Sequence, residues 1–95
     1  MLNIASIRES VSPIAKQYGL RRVFLFGSYA KGTANEESDV DLLIATDVSG
    51  IKFYDLVEAI RESLHKKVDV LDPKQLLDNP ELVNEILKDG IKIYG

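Results

Sequence analysis

The sequence predicts an α/β sandwich in which helices cover a sheet of three or four strands, and three observations predict it. Apolar residues recur at spacings of three and four over residues 4–18, 51–64 and 82–87, as on one face of a helix. Short apolar or alternating runs of strand length lie between and after them: Arg22–Phe26, Val40–Ala45, Lys67–Leu71 and Ile91–Tyr94. The two kinds of segment alternate along the chain, which is the signature of α/β rather than segregated architectures.

In the first helix Ile4, Ile7, Val11, Ile14 and Tyr18 make the apolar stripe. Pro13 lies inside it, so the expectation is a kinked helix, or one that begins afresh at Ser12-Pro13. Gly19 ends it. Strand one is expected at 21–26, followed by a Gly27-Ser28 turn into a short helix that Gly32 closes in a left-handed conformation. Ser28 is a favoured N-cap type for that helix. A polar connection, Thr33–Ser38, leads to strand two at 39–46, and Asp47–Gly50 forms a loop.

Residues 51–64 set Phe53, Leu56, Val57, Ile60 and Leu64 on one helical face and Asp55, Glu58, Arg61 and Glu62 mostly on the other, the pattern of a core-covering helix. The sole histidine, His65, falls at its C-terminal end, a surface position beside the helix dipole rather than a catalytic one. Strand three, Lys67–Leu71, alternates, and Asp72 before Pro73 reads as a turn residue. Pro73–Leu77 suits a short helical turn. Asn79-Pro80-Glu81 then starts the last helix, with Leu82, Val83, Ile86 and Leu87 as its apolar face. Asp89-Gly90 closes it, and Ile91–Tyr94 is a final strand.

Ninety-five residues, 45% hydrophobic and 28% charged, fit one soluble domain spanning 1–95. With no cysteine, disulfides, thiol nucleophiles and thiolate metal sites are excluded. Arg8, Glu9 and Lys16 interrupt any signal-peptide core, and no apolar run approaches membrane-spanning length, so a cytoplasmic protein without a membrane partner is expected. The net charge of −3 and the scattered basic residues argue against nucleic acid as the main partner.

The chemistry concentrates between Phe24 and Ile44. Asp39 and Asp41 stand at i and i+2 where a strand begins, so they share a face with Cα atoms roughly 6.6 Å apart. Ionised carboxylates this close repel unless a cation neutralises them. A hard divalent ion such as Mg²⁺ binds through one or two carboxylates plus phosphates, and a pair of such ions can clamp an in-line phosphoryl displacement. Gly27-Ser28 offers main-chain N–H groups to a phosphate, and Lys31, one turn on, adds a point charge. Asp69 is a carboxylate in mid-strand. It must be paired, metal-bound or at an exposed edge, because burying an unpaired charge costs several kcal/mol.

Gly27-Ser28, ten residues, then Asp39-Val40-Asp41 resembles the signature of the nucleotidyltransferase superfamily that includes DNA polymerase beta. Phe26-Gly-Ser-Tyr-Ala-Lys-Gly32 followed by Ser38-Asp-Val-Asp-Leu-Leu43 is similar to the core of one branch, the minimal nucleotidyltransferases paired with HEPN-domain proteins in prokaryotic toxin–antitoxin systems. The resemblance covers nearly the whole chain. It implies a mixed sheet and a nucleotidyltransferase-like sandwich. It also implies an Asp39, Asp41 and Asp69 triad holding two Mg²⁺ ions, with ATP phosphates on Gly27, Ser28 and Lys31. Lys31 stands where many relatives place arginine, keeping the charge but not the bidentate fork. The branch further implies adenylylation of a tyrosine on a HEPN-type ribonuclease toxin, hence a hetero-oligomer in which this chain is the antitoxin. A chain of this length leaves little wall for a second substrate, which agrees with an acceptor on another protein. The competing expectation is a non-catalytic module that neutralises its partner stoichiometrically.

Overall fold

The computed structural model describes residues 2–95. Its elements run α1 (Ile4–Gln17), β1 (Arg22–Phe26), α2 (Gly27–Lys31), β2 (Val40–Ala45), α3 (Ile51–Leu64), β3 (Val68–Leu71), a 3₁₀ turn (Pro73–Leu76), α4 (Pro80–Asp89) and β4 (Ile91–Tyr94). The four strands form one sheet in the order β3-β2-β1-β4. β1 runs antiparallel to both β2 and β4, while β2 and β3 are parallel across the α3 crossover, so the sheet is mixed, as expected.

Local chemistry explains the boundaries. Asn3 caps α1 in a reciprocal box, its side chain accepting from Ser6 N at 2.8 Å while Ser6 Oγ accepts from Asn3 N at 2.9 Å. The helix is not two pieces. It continues through Pro13, whose ring lies on the exposed side, so no neighbouring element has to make room for it. Asp72 caps the 3₁₀ turn by accepting from Lys74 N at 2.7 Å, and Asn79 caps α4 by accepting from Leu82 N at 3.2 Å. His65 ends α3 at φ 54°, its N–H donating to Arg61 O, and is exposed.

The pleat divides the sheet into two unlike faces. Val23, Leu25, Val40, Leu42, Ile44 and Val68 turn to the side that α1 and α3 cover. There they are fully buried with Ile7, Val11, Leu56 and Ile60. The opposite side carries Phe26, Asp41, Leu43 and Asp69, and α4 lies across part of it without burying any residue of its own. Leu82, Val83 and Ile86 are half-covered there, but Leu87, expected on the same face, is 79% exposed. A 100° step per residue carries Leu87 past the edge of this narrow contact.

Arginines from the covering helices reach the outer strands. Arg61 donates to Val68 O at 3.0 Å and Arg8 to Lys92 O at 3.2 Å, a device that blunts exposed sheet edges.

Candidate active site

Register is what assembles the candidate residues. The β1–β2 pairing sets Phe26 opposite Asp41, and the β2–β3 pairing sets Asp41 beside Asp69. Laterally paired residues share a face, with strands about 4.8 Å apart. Asp39 sits just ahead of β2, and Gly27 follows directly on Phe26. Three carboxylates and the Gly-Ser bend therefore lie at the same end of the central strands, on the thinly covered face. Of the alternatives open for Asp69, exposure on an edge strand is realised, beside Asp41.

Gly27 is required twice over. Its φ of 73° is a conformation side chains rarely adopt, and a Cβ there would collide with Asp41 Oδ2. The Asp41 carboxylate thus lies against the Gly27 main chain. Ser28, by contrast, does not cap α2. The cap position belongs to Phe26, which makes no side-chain bond, and Gly27 is the first helical residue. A serine one place inside the helix cannot accept from the N–H groups that a cap serves. Gly32 closes the turn at φ 77°, donating to Ser28 O, as the sequence led one to expect.

Burial pushes the Asp41 carboxyl above the usual carboxylate range, and the nearby charges of Asp69, then Asp39, then Glu85 push it further. A cation among these groups would reverse that effect. The donors are all oxygen, the set a hard divalent ion takes, so a Mg²⁺-type ion fits their chemistry. Among the described residues, no three His, Cys, Asp or Glu side chains stand close enough to hold a metal ion. Closer convergence or further oxygen ligands would be needed to complete such a site. The nearest cation is Lys67, whose Nζ lies 4.0 Å from Asp39 Oδ2, a solvated pair worth little.

Lys31 is engaged elsewhere. Its Nζ lies 2.7 Å from Glu85 Oε1 on α4. The Glu85 hydrogen bond holds the Lys31 ammonium above its ordinary range against the opposing effect of desolvation, aided by the charges of Glu85 and Asp89. Sequence reasoning missed Glu85. Only its placement four residues before Asp89 on a helix hinted at a shared acidic face, and nothing local says that α4 crosses α2. It also missed Lys66, whose Nζ donates to Glu36 O at 2.6 Å and lies 5.8 Å from the centre of the Tyr29 ring, anchoring the loop before Asp39.

A cavity of about 620 Å³, lined in part by Arg21, Asp47, Phe53 and Lys74, opens at the other end of β2 from the carboxylates. Arg21 and Asp47 form an ion pair of 2.6 Å at this cavity. Among the described residues no helix is long and apolar enough to cross a membrane.

Residues 9–95 match the family described as polymerase beta, nucleotidyltransferase. A candidate protein adenylyltransferase of Methanocaldococcus jannaschii is 34% identical over 95 residues, covering 97% of this chain and 99% of that protein. The structure of a candidate minimal nucleotidyltransferase superposes with a TM-score of 0.75 at 29% identity, covering 95% of each chain. A toxin–antitoxin crystal structure containing AMP-PNP superposes with a TM-score of 0.72 at 26% identity, covering 99% of this chain and 74% of that one.

Proposed function

We propose, because this chain belongs to the polymerase beta nucleotidyltransferase family, that it transfers AMP from ATP to a hydroxyl of a partner protein and thereby acts as an antitoxin. The observation that carries this reading is the lateral register of Asp41 with Asp69, one step from the Gly27 bend that the Asp41 carboxylate touches. The toxin–antitoxin relative with AMP-PNP supports an adenine triphosphate as donor. The acceptor we infer is a tyrosine of a HEPN-type ribonuclease toxin, as the resemblance to the HEPN-paired branch implies.

In this scheme Gly27 and Ser28 donate main-chain N–H groups to the triphosphate, and Lys31 contributes charge. Asp39 and Asp41 would hold two Mg²⁺ ions, and Asp69 would complete the one nearer the acceptor. Bound there, such ions would supply charge neutralisation of the phosphates and a lowered pKa for the acceptor hydroxyl. Asp69, exposed at the sheet edge, can take the hydroxyl proton directly or pass it to water. The acceptor oxygen attacks the α-phosphorus in line as the bond to the β-phosphate oxygen breaks, and pyrophosphate leaves. The remaining work is positioning, the main contribution in phosphoryl-group transfers of this kind.

The test is to incubate the chain with its partner toxin, ATP and Mg²⁺, and read the toxin's intact mass. One or more AMP additions are expected, lost on chelation. Asp41→Asn should slow the reaction by about 10²–10³-fold, the scale of losing a preorganised charge contact in the transition state. A toxin inhibited but unmodified would favour stoichiometric neutralisation instead.

A further inference from the structure

Glu85 is the carboxylate near the candidate site to which the proposed chemistry gives no part. α4 brings its Oε1 to 2.7 Å from Lys31 Nζ, with side-chain exposures of 31% for Glu85 and 41% for Lys31. Asp89, one turn further along α4, adds its charge on the same lysine, while Glu85 also acts on Asp41. An acidic helix face therefore occupies Lys31, the cation one turn along α2 from the Gly-Ser bend. α4 buries none of its own residues, so little packing is lost if this contact is exchanged.

We propose that Glu85 sets the affinity for the nucleotide by competing with it for Lys31, an inference that rests on the nucleotide-binding reading above. A triphosphate oxygen and the Glu85 carboxylate are alternative acceptors for the same ammonium. A lysine–carboxylate pair this exposed is weak enough for a multiply charged phosphate to displace. Glu85 thus acts as an internal stand-in for phosphate. It lowers occupancy by loosely held anions and leaves the site open to a triphosphate.

The experiment measures AMP-PNP binding with Mg²⁺ by calorimetry on the full chain, as wild type, Glu85→Gln, Lys31→Met and the double variant, with a thermal melt of each. Glu85→Gln is expected to tighten binding by about two- to five-fold when Lys31 is present, the range an exposed ion pair can impose. In the Lys31→Met background the same change should leave the affinity nearly unaltered. A merely structural role for Glu85 would instead weaken binding alike in both backgrounds and lower the melting temperature. Unchanged or weaker binding by Glu85→Gln in a wild-type chain that binds AMP-PNP overturns the role of Glu85 alone. So does tightening that persists undiminished without Lys31. Failure of the wild type to bind AMP-PNP overturns the nucleotide reading, and this proposal with it.

Discussion

The two faces of the sheet are built from the same strands by alternate residues, yet they differ in almost every physical respect. On one, Val40, Leu42 and Ile44 meet α1 and α3 and are wholly excluded from water. On the other, Asp41 lies between Leu43 and the Gly27 bend, and α4 above it keeps no residue fully buried. A single strand thus seals one face with Val40, Leu42 and Ile44 and on the other sets Asp41 beside the buried Leu43. The difference teaches that stability and chemistry are separated by the pleat rather than by distance along the chain. One face can therefore carry repelling carboxylates because the other supplies the apolar burial.

The largest test of that separation is a pair of truncations. Ile60→Ala, on the sealed face, should cost about 2–5 kcal/mol. Leu87→Ala, on α4, should cost less than about 0.5 kcal/mol, because its side chain is already 79% exposed. Equal losses in chemical denaturation would break the comparison. An intermediate effect is expected from Gly27→Ala. The positive φ and the Asp41 carboxylate in the path of a Cβ should together cost about 1–3 kcal/mol and displace the carboxylate. Denaturation and transfer activity should therefore fall together at this one position. Activity lost at unchanged stability would show that Gly27 serves only the ligand.

The smallest effect concerns pH. Because the folded-state pKa of Asp41 is raised, the folded chain holds that proton more tightly than the unfolded one does. Its contribution to stability is present at low pH and is lost as pH rises from the ordinary carboxylate range, about 3.9, through the raised folded value. Without metal, the difference in melting temperature between Asp41→Asn and wild type should grow across that window in favour of the variant. A constant difference would mean that neither burial nor the charges of Asp69 and Asp39 raise the Asp41 carboxyl.

Most of the fold was readable locally. Helix periodicity located α3 at its observed bounds, and Asn79-Pro80 and Gly32 marked a start and a stop. These signals work because caps, turns and amphipathic stripes are satisfied by neighbours three or four residues away. Pro13 left open a kink or a fresh start, and the structure shows one continuous helix through it, so there is no fresh start. Ser28 misled. Gly27, not the serine, takes the unusual backbone conformation that begins the turn, and the Asp41 carboxylate leaves no room there for a Cβ.

By itself, then, the sequence established the alternation of helices and strands, the family, and which acids and glycine to watch. Those properties are written in side-chain type and spacing along the backbone. Tertiary structure alone decided that Asp69 stands beside Asp41, that the Asp41 carboxylate presses on Gly27, and that Glu85 holds Lys31. Each of these joins residues from separate elements. The join depends on strand order, register and helix crossing, which the packing of the whole core sets and no short window of residues contains.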